Sequence, residues 1–349
     1  MSPQLTLSTL GDLSIQLGGE PITDFPTRKV KALLVYLAVE KAKIHRRESL
    51  FTLLWPEMPE KSARNNLRQV LYYLRKTIPR VASYSGDNQI PLLISDHYTV
   101  QINPNADLSV DLHCIDQLLE EIQSHGHYSL ADCEPCLQKL ERVISLYHGE
   151  FLVDFYLDNS SLFENWAVAI CEAYRRNILE AMAILVDIYL QNADYVLAKN
   201  LAEQQLEINP LSENSYRQLM EALARDGHRV KALRQYQICQ RTLKNELDIS
   251  PSQETMQVYE RIRAEKLGVP CLQPKNIDSR RFTPRHNLTS QATPFIGRQH
   301  NLEQLDEWLK EPNIRLISIV GLGGIGKTRL AIACAERQLL PEGQDQRLR

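Results

Sequence analysis

Apolar and polar residues alternate along the start of the chain and then change to a helical period. Residues 4–17, QLTLSTLGDLSIQL, alternate and contain β-forming residues, so they predict short strands. Three helical stretches follow, beginning at about Arg28, Arg46 and Lys61. Residues 91–103, PLLISDHYTVQIN, predict two short strands around a turn. Together these elements predict a winged helix-turn-helix, an α+β fold, over residues 1–110.

Residues 111–267 have a helical pattern almost throughout and an internal repeat near its end. The segments around Ala198 and Ala232 align at a separation of 34 residues. This is the period of tetratricopeptide repeats (TPRs), which are pairs of antiparallel helices. We expect Pro210 and Pro251 to mark the boundaries of the helix pairs, because proline ends one helix or begins the next. A mainly α, TPR-like domain is therefore predicted.

The last part of the chain changes in composition and then in pattern. Residues 268–293 are rich in proline, serine and asparagine and poor in apolar residues, which predicts a linker. Helical periodicity resumes within 294–349. Residues 314–320, IRLISIV, predict a buried strand that leads into a glycine-rich loop. We expect 294–349 to be the beginning of an α/β fold.

Composition and charge indicate an ordinary globular protein with unevenly distributed charge. No uncharged apolar run approaches the length of a membrane span, and the start does not resemble a signal peptide, so we expect a cytoplasmic protein without membrane contact. The net charge is +3 over residues 1–110, −10 over 111–267 and +4 over 268–349. A basic end beside an acidic body favours nucleic-acid contact by the first part and protein contact by the second.

The seven cysteines are scattered and odd in number, which argues against a disulfide framework. Cys133 and Cys136 form a C-x-x-C pair with His125 and His127 upstream. The segment is either a zinc site or a helix start with two half-buried thiols. Because a second close cysteine pair is missing, we favour the second interpretation and predict no metal site.

The predicted helix over 61–78 has an apolar face and a cationic face. Residues 61–80 contain six basic side chains and no acidic one. A solvated cationic face is the plain alternative, but the absence of carboxylates and the hairpin downstream favour a helix that enters the major groove of DNA. The apolar face consists of Leu67, Val70, Leu71, Leu74 and Ile78. The candidate DNA-contacting residues are Arg64, Asn65, Arg68, Gln69, Tyr72, Arg75 and Lys76.

The loop GLGGIGKT, residues 321–328, matches the phosphate-binding P-loop pattern between a predicted strand and a predicted helix. The candidate nucleotide-binding residues are Gly321, Gly323, Gly324, Gly326, Lys327 and Thr328, with Thr328 as a magnesium ligand. Few residues follow Thr328, too few for the second strand and metal-binding aspartate of an ATPase. We therefore expect an incomplete domain and no enzyme activity. ATP with magnesium is the cofactor that the motif implies, and no cofactor is expected to be required.

Several segments resemble known families. Residues 1–110 resemble the OmpR/PhoB-type winged helix of response regulators, and residues 146–167 and 209–262 resemble the bacterial transcriptional activator domain (BTAD). Together they are similar to the SARP/AfsR-like transcriptional activators. The segments PFIGR and VGLGGIGKT resemble the start of a STAND/NB-ARC-type ATPase domain.

The resemblance implies that helix 61–78 is the recognition helix, with Arg64, Arg68, Arg75 and Lys76 on the DNA backbone. It also implies that the helical domain packs against the winged helix and contacts RNA polymerase or a second copy of the chain, with promoter repeats as the DNA target. Two alternative functions belong to other functional classes. The chain could be a nucleotide-sensing STAND-type switch or a TPR-like protein-interaction scaffold. The carboxylate-free face of 61–78 argues against the scaffold, and the short P-loop segment argues against the switch.

Overall fold

The computed structural model describes residues 4–84, 86–126, 130–265, 298–310, 317–320 and 326–339. The chain divides into two compact units, Met1–Ser279 and Arg280–Arg349. The predicted linker at 268–293 lies outside the described residues. Among the described residues, no helix has both the length and the apolar content needed to cross a membrane.

The first unit opens with short strands and three helices. The strands are β1 (Leu5–Ser8), β2 (Ser14–Leu17) and β3 (Glu20–Pro21), and the helices are α1 (Arg28–Val39), α2 (Arg47–Leu54) and α3 (Glu60–Thr77), with the two-residue strand β4 (His45–Arg46) between α1 and α2. Helix α1 is buried over most of its length because both of its faces are apolar. It packs against α2 and α3. The predicted strands and three helices are confirmed to within a residue or two.

Five further strands follow α3: β5 (Val81–Ser83), β6 (Gly86–Ile90), β7 (Leu93–Ser95), β8 (Thr99–Ile102) and β9 (Leu108–Val110). The predicted hairpin is β7–β8, which pairs with β4 through β8. The β5–β6 hairpin was not predicted from the sequence. Strand β9 adds to β1 in parallel and completes a sheet in the order β3-β2-β1-β9.

Seven helices make up the rest of the first unit: α4 (Asp111–Ser124), α5 (Glu134–Ser145), α6 (Ser161–Gln191), α7 (Tyr195–Ile208), α8 (Glu213–Arg225), α9 (Arg229–Leu247) and α10 (Gln253–Arg263). Each helix packs against the next along the chain. The described residues are thus mainly helical, with small sheets confined to the first part.

The predicted repeat corresponds to two helix pairs, α7 with α8 and α9 with α10. Ala198 and Ala232 are both fully buried, as their small size at a helix crossing requires. The prolines, however, were misplaced by the sequence prediction. Pro210 and Pro251 lie inside the pairs, before α8 and α10, because proline marks a helix end without indicating which pair the helix belongs to. Helix α9 has 19 residues against 14 in α7, so the second copy of the repeat begins with a longer helix than the first.

The two pairs are joined by hydrogen bonds at equivalent helix starts. Ser212 and Ser252 are the N-caps of α8 and α10, and their hydroxyls accept the amides of Ser215 and Thr255. The carboxylate of Glu213 accepts the amide of Ser252 at 2.8 Å and its hydroxyl at 2.7 Å. One acidic side chain therefore holds the beginnings of both second helices together.

The sheet and the helices meet at Asp111, the first residue of α4. Its carboxylate accepts hydrogen bonds from the backbone amide of Thr9 at 2.5 Å, the hydroxyl of Thr9 at 2.6 Å and the amide of Leu10 at 2.8 Å. The segment just after β1 thus binds the N-terminus of α4, where a negative charge is favoured by the helix dipole. Asp111 connects the first sheet to the helical part.

A second strip of contacts continues this junction. The amide of Gly11 donates to the carbonyl of Glu150 at 2.9 Å, and the amide of Leu152 donates to the carbonyl of Thr9 at 2.9 Å. Gly11 has φ +95°, and a Cβ there would lie 3.3 Å from the side chain of His148, so a larger residue would be strained. The segment before α6 is therefore held on the sheet by its backbone.

Aromatic and charged side chains join α1 to α6. The indole Nε1 of Trp166 donates to the carboxylate of Glu40 at 3.2 Å, and its ring lies 4.9 Å from that of Tyr36. The ammonium of Lys29 donates to the carbonyl of Leu54 at 2.6 Å and to the hydroxyl of Ser160 at 3.1 Å. These contacts place the start of α6 beside α1 and the end of α2.

The second unit contains α11 (Gln299–Lys310) and α12 (Lys327–Leu339). Leu302 and Leu305 of α11 pack with Leu330 and Cys334 of α12, and Ile317 and Ile319 cover this cluster. The described part of the predicted strand, residues 317–320, has no regular structure, and Val320 is 86% exposed. A strand needs a neighbour for its backbone hydrogen bonds, and the described residues of this unit contain no other strand.

We predict that Asp111→Asn destabilises the first unit by about 2 kcal/mol, because a charged acceptor of four hydrogen bonds, from Thr9, Leu10 and Leu112, is replaced by a neutral amide. Asp107→Asn is the matched control, since the Asp107 carboxylate accepts one exposed hydrogen bond from Gln4. We expect its effect to stay below about 0.5 kcal/mol. Urea unfolding followed by circular dichroism and tryptophan fluorescence measures both changes. Equal losses for the two variants would contradict the assigned role of Asp111.

Candidate nucleic-acid interface

Helix α3 is fixed by its apolar face and exposes its polar face. The predicted core residues are all buried: Leu67, Val70, Leu71, Leu74 and Ile78, together with Ala63. The candidate DNA-contacting side chains are all exposed: Arg64, Asn65, Arg68, Gln69, Tyr72, Arg75 and Lys76. The helical period of 3.6 residues therefore correctly predicted which residues of α3 are buried and which are exposed.

The N-terminal end of α3 differs from the sequence prediction. The helix begins at Glu60, one residue before the predicted start, and the carboxylate of Glu60 pairs with the guanidinium of Arg64. The absence of acidic residues thus holds for 61–80 but not for the whole helix. Both side chains are about half exposed, so the pair contributes little to stability and Arg64 can exchange its partner for a phosphate at small cost.

The polar side chains in the middle of α3 contact one another only weakly. Arg68 donates to the amide oxygen of Asn65 at 3.4 Å, and Gln69 donates to the hydroxyl of Tyr73 at 3.5 Å. The ring of Tyr72 is 61% exposed and lies edge-on to that of Tyr73. Hydrogen bonds of this length are at the limit of the useful range, so both amides are available to a ligand.

One cation that the sequence prediction missed lies beside α3. Burial, followed by the neighbouring guanidinium groups of Arg75 and Arg68, lowers the pKa of Arg47, while Asp96 opposes the change. Three arginines from two helices therefore lie close to one another. We call Arg47, Arg68 and Arg75 the arginine flank. The sequence feature that pointed to Arg47 was the Arg46-Arg47 pair at the start of α2. Two adjacent residues do not define a helix face, so the pair could not be assigned to the surface of α3.

The β7–β8 hairpin is held against the arginine flank. Arg75 donates to the hydroxyl of Ser95, and the Nε of Arg47 donates to the carbonyl of Asp96 at 2.9 Å. At the turn, the Asp96 carboxylate accepts the amides of Tyr98 at 2.7 Å and Thr99 at 2.6 Å. These hydrogen bonds, and then the charge of Arg47, lower the pKa of Asp96, although slight desolvation opposes them. The hairpin thus orients the arginines and carries a negative charge at its tip.

A cleft of about 460 Å³ lies between α3, α1 and the segment before α6. Gln69 and Tyr73 line it from α3, and Leu157 and Asp158 line it from the helical part. Lys29 and Trp55 also line the cleft, and the ammonium of Lys29 lies 4.9 Å from the centre of the Trp55 ring. Leu157 and Asp158 therefore lie across the cleft from Gln69, which belongs to the polar face of α3.

The P-loop residues are described only in part. Gly321, Gly323 and Gly324 lie outside the described residues. Gly326 has φ +83° and precedes α12, and the carbonyl of Gly326 accepts the amide of Leu330 at 2.9 Å. Lys327 and Thr328 occupy the first turn of α12, as a P-loop pattern requires. Their assignment to a nucleotide remains a prediction.

Comparison with known proteins relates this arrangement to bacterial regulators. Residues 110–263 match the bacterial transcriptional activator domain. The chain is similar to the regulatory protein AfsR of Streptomyces griseus, with 26% identity over 355 residues that cover 97% of this chain and 33% of AfsR. It is also similar to the regulatory protein DnrI of Streptomyces peucetius, with 26% identity over 71% of this chain and 88% of DnrI. The chain thus spans about a third of the length of AfsR.

One solved structure supports the fold. EmbR of Mycobacterium tuberculosis, solved in complex with a low-affinity phosphopeptide, superposes with a TM-score of 0.59 at 21% sequence identity. The alignment covers 80% of this chain and 69% of EmbR. The region that matches the bacterial transcriptional activator domain, residues 110–263, includes α4 to α10, and AfsR and DnrI are regulatory proteins. Helices α4 to α10 therefore correspond to a bacterial transcriptional activator domain in a chain similar to regulators of the SARP type.

Proposed function

We propose that the chain is a DNA-binding transcriptional regulator of the SARP/AfsR type that reads promoter DNA through α3. The observation that carries this proposal is the arrangement on one surface of the exposed polar face of α3, the arginine flank and the β7–β8 hairpin. This layout serves two tasks. Amides and a tyrosine are suited to base edges, and guanidinium groups on the side are suited to phosphates.

The dimensions of α3 suit the major groove. Eighteen residues of α-helix extend about 27 Å, and a groove about 12 Å wide admits one helix. The buried face of α3 fixes its rotation, so Asn65, Gln69 and Tyr72 point away from the core together. Because the arginine flank draws on α2 as well as α3, the phosphate contacts would lie to one side of the base contacts. A helix fixed in this way can distinguish sequences rather than only attract DNA.

The charge distribution supports the same orientation. Residues 1–110 carry a net charge of +3 and residues 111–267 one of −10. The acidic helices would be repelled by DNA and so direct the basic part towards it. In this proposal the helical domain contacts RNA polymerase or a second copy of the chain. The contacts of Lys29 and Trp166 couple its position to that of α1, and hence to α3.

The decisive test begins with selection from a pool of random double-stranded DNA on the purified full chain. Fluorescence anisotropy then compares the selected site with a scrambled sequence, with and without ATP and magnesium. We expect selective binding that ATP does not change. Selective binding only with ATP would support the nucleotide-switch alternative, and no selective binding under either condition would support the scaffold alternative.

The double variant Arg68→Ala with Arg75→Ala is expected to weaken binding to every DNA sequence. Each lost phosphate contact lowers the slope of log affinity against log salt by about 0.9, so the slope falls by about 1.8. Arg241→Ala on the exposed side of α9 is the control for charge, and it should leave the slope unchanged. A double variant with the slope of the unmodified chain would contradict the placement of phosphates on the arginine flank.

Gln69→Ala or Asn65→Ala is expected to relax the choice of sequence while leaving binding to scrambled DNA nearly unchanged. A good bidentate contact to a base contributes about 1–3 kcal/mol of discrimination. Affinities for all single-base variants of the selected site measure this effect. If discrimination survives at every position in both variants, α3 lies in the groove in another register.

Asp96→Asn is expected to strengthen binding, in contrast to the other variants. The change removes a negative charge beside the arginine flank and keeps a side-chain oxygen that can accept the amides of Tyr98 and Thr99. Because the pKa of Asp96 is lowered, the carboxylate is charged throughout the neutral range, and its removal should act equally from pH 6 to 8. The gain should shrink at high salt. A weaker complex at low salt would place the hairpin away from DNA.

A further inference from the structure

Three potential metal ligands meet between α4 and α5. The ring nitrogen Nδ1 of His125 lies 3.1 Å from the Sγ of Cys136 and 3.4 Å from the Sγ of Cys133. All three ligand atoms lie within 4.8 Å of one another. This cluster is remote in sequence from α3 and plays no part in the proposed DNA interface.

Local structure brings the three side chains together. His125 directly follows α4, and Cys133 is the N-cap of α5, with Cys136 in the first turn of that helix. The amide of Cys136 donates to the carbonyl of Cys133 at 3.0 Å, which fixes the two thiols on one side of the turn. A 2.9 Å ion pair between Glu121 and Lys139 holds α4 against α5 below the cluster. Two rigid helix ends therefore set the spacing of the ligands.

The spacing suits a tetrahedral zinc ion. With zinc–sulfur bonds of about 2.3 Å and zinc–nitrogen bonds of about 2.0–2.1 Å, two neighbouring ligands lie about 3.6 Å apart. The distances from His125 to the two sulfur atoms are within half an ångström of that value. Two thiolates and an imidazole are ligands that zinc prefers, whereas calcium and magnesium require oxygen.

A positive charge beside the cluster favours its thiolates. Lys139 lies close enough for its ammonium charge to act on Cys136. A divalent ion would act in the same direction, since it stabilises the thiolates that it binds.

We propose that His125, Cys133 and Cys136 bind a zinc ion, with water or a further donor at the fourth position. The ion would link the end of α4 to the start of α5 on the helical domain. This proposal revises the sequence prediction of no metal site. That prediction required a second cysteine pair, but the histidine beside the first pair supplies the third ligand.

The experiment uses the full chain, purified with a thiol reductant and without chelator or histidine tag. Elemental analysis should find about one zinc ion per chain. After removal of zinc, titration with Co²⁺ should produce the near-ultraviolet charge-transfer absorption of cobalt–thiolate bonds. Cys133→Ser and His125→Gln should abolish both signals. These two side chains are not fully buried, so the variants are expected to fold, which circular dichroism verifies.

Cys114→Ser is the matched control, because Cys114 is a half-buried thiol outside the cluster. It should retain zinc and the cobalt absorption. Chelation should lower the melting temperature of the unmodified chain and of Cys114→Ser but leave that of Cys133→Ser unchanged. The proposal is overturned if the reduced chain binds neither ion, or if folded Cys133→Ser retains both signals.

Discussion

The structure of the first unit depends on one carboxylate between a sheet and a helix. Asp111 directly follows β9 and begins α4, and it binds the backbone just after β1. Strand β9 is also the parallel neighbour of β1, so sheet pairing and helix start are fixed at the same point. If the angle between β9 and α4 changed, the segment before α6 would leave the sheet, and Lys29 would lose Ser160. The orientation of the helical part relative to α3 thus follows from this junction.

The sequence predicted those features of the structure that local patterns of apolar and polar residues determine. The period of 3.6 in α3 correctly assigned Leu67 and Leu74 to the core and Gln69 to the surface. It could not reveal Arg47, whose bond to the hairpin joins residues 49 positions apart. Nor could it reveal Asp111, since an aspartate at a helix start is satisfied as well by its own helix as by a distant strand. Contacts between elements that are distant in sequence produce no periodic pattern of residues from which they could be predicted.

The same difference separates the prediction from the structure at α3 and at the cysteine cluster. The pairing of Glu60 with Arg64 escaped notice because the helix boundary was placed one residue late, and boundaries are the least certain feature of a pattern. The cysteine pair was judged by the spacing of known zinc motifs, whereas the loop after α4 brings a histidine to it from outside the motif. Glu60 was therefore missed altogether, whereas His125 was recognised and only its approach to the two cysteines could not be read from the sequence.

The unequal lengths of α7 and α9 limit how the helical array can grow. Identical repeats extend by applying one rotation and one translation again and again, which produces a superhelix. Helix α9 is longer by five residues, about 7.5 Å, so its end projects past the position that a copy of α7 would occupy. A single rotation and translation therefore cannot superpose the first helix pair, α7 with α8, on the second, α9 with α10, along their full length. A third pair added by the same operation would meet a step rather than a continuous surface.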